Sequence, residues 1–258
     1  MPPVAARSSI GGSGVLIAAL SLAALTVALL QTAVVPVLGV IAHQLGVSSV
    51  AVSWAVTANL LAAAAATPLI GRLADLYSKK RVLVAVLLVV AVGSLLAATT
   101  SSLGWLIVAR VLQGVSFALY PICVAILRDE LPEERVVGAL AVLSGTLGFG
   151  GGTGLVVTGL LMAGSASYHR VFWLSLGFTL LVLVVVARCV PAQPGSGSGT
   201  VDWPGALGLA VGLTAVLLAI TQGNAWGWVA PATVGCAALG VAVLAAWGFV
   251  DNWARSRS

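Results

Sequence analysis

Charge is what this 258-residue sequence has least of: Asp, Glu, Lys and Arg together make up 7% of it, against 60% hydrophobic residues. A typical soluble domain carries about 25% charged and about 45–50% apolar residues. A chain with so little charge cannot cover itself for water. The same figures exclude disorder, which needs low hydrophobicity and high charge. Histidine occurs twice and cysteine three times, as Cys123, Cys189 and Cys236. An odd number of thiols with no Cys-x-x-Cys spacing gives neither a disulfide framework nor a metal pattern, so the cysteines are expected to be small packing residues. A Gly-x-Ser-Gly nucleophile with a partner histidine, a pair of intramembrane aspartates or a metal cluster would mark an intramembrane enzyme. None of these is present as such a constellation, so the chain is read as no enzyme, with no cofactor and no metal. The 12 Lys and Arg give a formal net charge of +5. Spread along the chain they make no basic face or stripe, which argues against nucleic acid as a partner.

Long hydrophobic runs are what the sequence has in place of charge. About 20 largely apolar residues are needed to cross a hydrocarbon core of roughly 30 Å. Eight stretches meet or approach that length, at residues 15–39, 50–70, 82–98, 103–127, 136–162, 171–190, 204–222 and 229–250. They are continuous Ala/Val/Leu runs and not the alternating segments of about 10 residues that a membrane β-barrel needs. The fold class is therefore all-α and integral to the membrane: a polytopic helical bundle of about eight transmembrane helices, with the lipid bilayer as first partner. The first run exceeds the apolar core of a secretion signal and no clear small-residue cleavage site follows it, so it is read as a retained helix.

The few charges orient the bundle. Arg7, Arg72, Lys79, Lys80, Arg81, Arg128, Arg135, Arg188, Arg255 and Arg257 fall on one side; the opposite loops contribute only Arg170, and Arg110 lies inside a span. By the positive-inside rule both termini are cytoplasmic. Usage heavy in Ala, Val and Gly and poor in Lys hints at a GC-rich bacterial genome, and so at a bacterial cytoplasmic membrane. Pro191-Ala-Gln-Pro-Gly-Ser-Gly-Ser-Gly-Thr200 is of the Gly/Ser type that behaves as flexible coil. It divides the chain into residues 1–190, holding six helices, a linker at 191–203, and residues 204–258, holding two more helices and a short tail.

Between spans 2 and 3 the chain reads Pro68-Leu-Ile-Gly71-Arg72-Leu73-Ala-Asp75-Leu76-Tyr77-Ser78-Lys79-Lys80-Arg81, and span 4 carries Arg110 with Gln113 and Gly114 one turn on. On their own these are a positive-inside loop and a single intramembrane charge. Together they resemble two signature motifs of the major facilitator superfamily, the G-x-L-a-D-r-x-G-r-r loop after helix 2 and the R-x-x-q-G motif of helix 4. Leu76 stands where the family often has Arg, and Ser78 where it usually has the second Gly. Gln31-Thr-Ala-Val-Val-Pro36, Ile41-Ala-His-Gln-Leu-Gly46, Ser53-Trp54-Ala-Val-Thr57-Ala-Asn59 and Val201-Asp202-Trp203-Pro204-Gly205 are similar to segments of its fourteen-span drug:proton antiporter branch. The resemblance covers nearly the whole chain in order.

It implies an N-terminal transporter half followed by the pair of helices that this branch inserts between its halves. The expected function is transmembrane transport of a small molecule, drug/proton antiporter-like efflux, by a chain that lacks the C-terminal half. Two readings stay open: a half that works with a second half-transporter chain or as a homodimer, and a truncated or inactive fragment. An intramembrane charge marks a functional site by default. Arg110 lies about 10 Å below the helix end, within reach of snorkelling, but Gln113 at i+3 shares its face and favours an interior, water-facing place. Proton coupling or cavity architecture is carried to Arg110 from the family, with Gln113, Gln31 and Asn59 as its polar company. No acid stands at Leu29-Leu30-Gln31-Thr32, where many antiporters of the branch have an Asp in helix 1. The loop motif offers Gly71, Arg72, Asp75, Lys79, Lys80 and Arg81, and the resemblance gives Asp75 a latching role toward a second half.

Span 5 holds Gly145, Gly148, Gly150, Gly152 and Gly154. Thr153 stands where a dinucleotide loop would need Gly, and no strand precedes it. Glycines four apart let two membrane helices approach closely, so the pairs Gly148/Gly152 and Gly150/Gly154 are both expected to pack. The position matches the family's helix-5 antiporter motif, without its usual Pro. Pro132, Glu133 and Glu134 read as a helix start. Trp105, Trp173, Trp226, Trp228 and Trp253 suit interface anchoring. His43 and His169 are placed in external loops.

Overall fold

The computed structural model describes residues 10–163, 167–192 and 203–255, and every regular element among them is helical. Ten α-helices follow in order: α1 Ile10–Thr32, α2 Leu38–Leu45, α3 Ser49–Leu76, α4 Lys79–Thr99, α5 Leu103–Gly114, α6 Leu119–Glu130, α7 Glu133–Leu161, α8 His169–Cys189, α9 Trp203–Trp226 and α10 Pro231–Arg255. A 3₁₀ turn at Val35–Val37 joins α1 to α2, and another at Val115–Ala118 joins α5 to α6. Counted as spans, α1 with α2 and α5 with α6 are single crossings, so eight segments are long and apolar enough to cross a membrane. The chain is a multi-pass membrane protein. Of the expected linker at 191–203, residues 193–202 lie outside the described residues.

Proline accompanies both 3₁₀ interruptions, while Pro68 lies inside the continuous α3. Pro36 has no N–H to return to Thr32, the last residue of α1, and Pro121 has none for Phe117, which falls in the second 3₁₀ turn. A missing i to i−4 bond and a ring that crowds the carbonyl behind it end or kink a helix. Gly46 closes α2 at φ 64°, a left-handed value open to glycine at no steric cost. The Ser48 hydroxyl then caps α3 by accepting from the Ala51 N–H at 3.1 Å.

Two connections are shorter than the sequence suggests. α3 runs on to Leu76, so Gly71, Arg72 and Asp75 are helical and only Tyr77 and Ser78 separate α3 from α4. Likewise α6 continues to Glu130, and Pro132 serves as N-cap for α7 with Glu133 and Glu134 in its first turn. A charged stretch lowers hydropathy without breaking a helix, which is why the apolar runs stop short of the true ends. The histidines are corrected in the same way: His43 lies in the last turn of α2 and His169 is the first residue of α8.

The helices pack around α1 and α4, with consecutive crossings antiparallel and the pairs α1–α7 and α3–α5 parallel. α1 touches α6, α7 and α8; α4 touches α5 and α8; α3 touches α5 and α9, and α9 carries α10. Buried apolar side chains form two clusters, one toward each end of the bundle. The first gathers Leu20, Leu83, Leu87, Ile126, Leu127 and Val186 near the Lys79 end. The second gathers Val37, Ile41, Leu106, Tyr168 and Phe172 near the opposite end. There the Tyr168 hydroxyl donates to the Thr100 carbonyl at 2.7 Å, and His169 Nε2 meets the same oxygen at 2.9 Å. Burial pushes the Tyr168 hydroxyl above the usual tyrosine range. Cys123 is buried in the first cluster as a small apolar residue. Trp105, Trp173, Trp226 and Trp228 are exposed near span ends, as anchors at a membrane interface would be.

Candidate functional site

Between the two apolar clusters lies a polar layer. α5 turns Leu106, Ala109, Arg110 and Gln113 inward, the i, i+3, i+4, i+7 set of one helix face. Arg110 is 1% exposed and Gln113 fully enclosed. A buried guanidinium in a bilayer needs acceptors, because no water solvates it there. It finds them on three other groups. Nε donates to the Ala55 carbonyl of α3 at 3.1 Å, and one terminal N–H group donates to Leu30 O of α1 at 3.3 Å and to Gln113 Oε1 at 2.7 Å. Gln113 Nε2 passes the chain on to the Ser94 hydroxyl of α4 at 2.9 Å. In return Asn59 of α3 donates from Nδ2 to the Arg110 carbonyl at 2.8 Å. Arg110 and Gln113 together thus tie α1, α3, α4 and α5.

This layer differs from the expectation in one respect. Arg110 neither snorkels nor faces water: it sits packed among helices, with carbonyl oxygens in the role foreseen for solvent. Ala55 lies inside α3 and offers the lone pair beyond its helical bond, whereas Leu30 lies in the last turn of α1, where carbonyls lack an intrahelical donor. Arg110, Gln113 and Asn59 are brought together. Gln31 follows Leu30 on α1, is half buried, and holds its Nε2 in the interior with no hydrogen-bond partner. Asn59 Oδ1 and the Ser116 hydroxyl are unpartnered as well. An unmet buried polar group costs about 1–3 kcal/mol. Such a cluster inside the bundle is a reservoir of unmet polarity. Ser94, Ser116 and the two carbonyls were not readable as site members. The signal for Ser94 was there, as a Gly93-Ser94 pair inside an otherwise apolar run.

Two glycines make room for the layer. A Cβ on Gly93 would come within 2.9 Å of Ala109 O and of Leu112 Cβ, and one on Gly114 within 2.5 Å of Asn59 O and 2.8 Å of Ala62 Cβ. α4 and α3 therefore approach α5 at distances only glycine permits. Two apolar cavities flank the result. One of about 230 Å³ lies among α1, α7 and α8, with Leu30, Ala33, Gly154 and Phe178 in its wall. Another of about 440 Å³ lies between α3 and α9, with Leu60, Ala63, Pro68, Phe117 and Leu217. Leu30 carries an acceptor of Arg110, and Leu60 follows Asn59, so each cavity wall adjoins the polar layer. The arrangement holds a fixed positive charge beside apolar volume.

The helix-5 glycines divide into two groups. Cβ atoms on Gly150 and Gly154 would collide with Leu25, Ala28 and Thr32 of α1, whereas Gly145, Gly148 and Gly152 meet nothing within 4 Å. The pair Gly150/Gly154 packs as expected and the pair Gly148/Gly152 does not: it lies on the face of α7 that also exposes Val137, Phe149, Val156 and Leu160. The register follows from the helical period, since Gly150 and Gly154 share one stripe and Gly148 and Gly152 another. Gly150→Leu is accordingly expected to lower the melting temperature of the purified protein by several degrees, and Gly148→Ala to leave it unchanged or raised, as a scanning fluorescence melt would read.

At the Lys79 end, Arg72, Asp75 and Arg81 are exposed, Gly71 and Lys80 half exposed, and Lys79 forms an ion pair with Asp129 in the last turn of α6. The loop motif thereby joins span 3 to span 4, a link the spacing did not reveal. A partly exposed pair of this kind is worth at most about 1 kcal/mol. Among the described residues no group of three or more His, Cys, Asp and Glu is placed to hold a metal.

Comparison with known proteins agrees with this architecture. The sequence model described as Major Facilitator Superfamily matches residues 20–206. An uncharacterized MFS-type transporter of Mycobacterium tuberculosis is 35% identical over 211 residues, which are 76% of this chain and 29% of that protein. Multidrug resistance protein 3 of Bacillus subtilis is 28% identical over 67% of this chain and 34% of its own length. A puromycin resistance protein of Streptomyces alboniger is 30% identical over 81% of this chain and 42% of its own length. The chain thus spans less than half the length of each of these relatives. Among solved structures, the human organic anion transporter MFSD10 superposes with a TM-score of 0.62 over 79% of this chain and 55% of that one, at 16% identity, a likeness of fold.

Proposed function

Because the chain belongs to the Major Facilitator Superfamily, we propose that it forms one six-helix half, with two further helices, of a secondary transporter that exports drug-like small molecules by proton antiport. The substrate path is completed by a second six-helix half, in the same or another polypeptide. The observation that carries this reading is the Arg110 layer: a cation buried inside the bundle and bound by carbonyls of α1 and α3, with unpaired polar atoms and apolar cavities beside it. Transporters of this architecture place substrate and coupling sites near the midplane between repeats. Relatives named for multidrug and puromycin resistance support an apolar substrate class, and an apolar cavity with few polar groups suits it. The apolar face of α7, from Val137 to Leu160, supports contact with a second half.

The positive-inside count supports a cytoplasmic Lys79 end and cytoplasmic termini. Among the described residues no Asp or Glu lies deep in a span, so the exchanged proton rides on a carboxylate of the second half, and Arg110 tunes that group by its charge. The test is ethidium efflux from cells stripped of their own exporters. Expression of the chain together with its second half should speed efflux severalfold, and a protonophore should cancel the gain. Equal efflux with and without expression would end the transport reading, whereas a gain indifferent to the protonophore would remove antiport alone.

A further inference from the structure

Where α3 and α4 meet at the Lys79 end they do not close against each other. A cavity of about 430 Å³ opens between them, floored by Val115 of the 3₁₀ turn in span 4. Ile70 and Leu73 line it from one face of α3, and Tyr77 from the connection that follows. Arg81, Ala85 and Val89 line it from α4 at i, i+4, i+8, with Val82 and Val86 beside them. The groove is therefore graded: a guanidinium and a phenol at the mouth, aliphatic walls below.

We propose that this groove holds one anionic phospholipid, its phosphate at Arg81 and Tyr77 and an acyl chain along α4 toward Val89. Three observations fix the occupant. First, length: eight residues from Arg81 to Val89 cover about 12 Å of a leaflet roughly 15 Å thick. Second, position: Arg81 and Tyr77 stand at the end of two membrane spans, at headgroup level, and both are exposed. Third, charge: the first turn of α4 reads Lys79-Lys80-Arg81 and holds no acid. Cations at a helix N-terminus oppose the macrodipole, and an anion there offsets both. Asp129 meets Lys79, and Arg81 is the member of the run that lines the groove. The Tyr77 hydroxyl adds a neutral donor for a phosphate oxygen. Basic pockets between transmembrane helices recognise lipid headgroups on these grounds.

The experiment is native mass spectrometry of the delipidated full chain titrated with palmitoyl-oleoyl phosphatidylglycerol, with palmitoyl-oleoyl phosphatidylcholine and glycerol 1-phosphate as comparison probes. One saturable phosphatidylglycerol is expected, bound at least tenfold tighter than phosphatidylcholine. Arg81→Gln should weaken it about tenfold, and Ala85→Phe, which fills the groove below the headgroup, by a similar factor; both variants are first matched to the parent by size-exclusion profile. Arg135→Gln, at the start of α7, should leave it unchanged. Equal affinity for the two lipids, or equal loss in Arg135→Gln, would overturn the site in favour of diffuse surface charge. Displacement by glycerol 1-phosphate alone would overturn the lipid as occupant in favour of a free phosphate. The lipid titration does not need transport, so its failure and that of the efflux reading are separate results.

Discussion

Replacing Arg110 by alanine is expected to abolish substrate flux and to lower the stability of the bundle, while the protein still inserts in the membrane. Insertion is decided span by span from hydropathy, and removing a charge from span 4 makes that step easier. Packing is decided afterwards. The truncation leaves the Leu30 carbonyl and the Gln113 Oε1 without a donor and the Ala55 carbonyl with its helical bond alone, and opens a void where a large, fully buried side chain stood. Orphaned buried acceptors cost about 1–3 kcal/mol each where the backbone cannot relax toward another donor, and a core cavity adds to that. A fall of about 3–5 kcal/mol is expected, read as a lower melting temperature in detergent. Arg110→Lys separates the two roles. Lysine keeps the cation but loses the planar fork that reaches α3 and Gln113 together, so it should retain part of the flux at reduced stability. Unchanged ethidium efflux in Arg110→Ala would sink the assignment of this residue to transport.

The second large effect is expected at a residue without a side chain. A methyl group on Gly114 would lie 2.5 Å from Asn59 O, 2.8 Å from Ala62 Cβ and 3.2 Å from Ala63 N. None of these is the tip of a flexible side chain; two are backbone atoms in the interior of α3. α3 must therefore move away from α5, and with it the Asn59 amide that donates to the Arg110 carbonyl and the Ala55 carbonyl that accepts from Arg110 Nε. Overpacking of a tight core costs about 1–3 kcal/mol, and the lost hydrogen bonds about 1 kcal/mol each. Gly114→Ala is expected to lower the melting temperature by roughly 5–10 °C and to cut flux at least tenfold. Gly145→Ala, with nothing near its Cβ, is the matched control and should change neither. Parent-like stability and flux in Gly114→Ala would mean that α3 and α5 do not meet as closely as these contacts require.

The two substitutions also mark the limit of what a linear reading could reach. Arg110, Gln113 and Asn59 stood out as polar residues in apolar runs. Their mutual arrangement did not, because residues 51 apart in sequence meet only through the packing of α3 on α5. The same holds for Lys79 and Asp129, 50 residues apart at the ends of α4 and α6. For Gly114, the motif R-x-x-q-G indicated that a glycine belongs there, while the reason lay on another helix. The helix-5 glycines were half legible: period 3.6 sorts them into stripes, but which stripe faces α1 depends on the rotation of α7 about its axis.

The sequence by itself determined that the chain is an all-helical membrane bundle of eight crossings, because lipid leaves backbone groups no partner except those of their own helix, and hydropathy over about 20 residues is a local quantity. Tertiary structure alone decided that Arg110 would be sealed from water and held by carbonyls, that Gly150 and not Gly148 would carry the packing of α7, and that α3 and α4 would part to leave an amphipathic groove. These depend on how each helix is rotated and how closely it meets its neighbours, and between apolar helices in lipid that choice rests on small residues and a few hydrogen bonds dispersed along the chain.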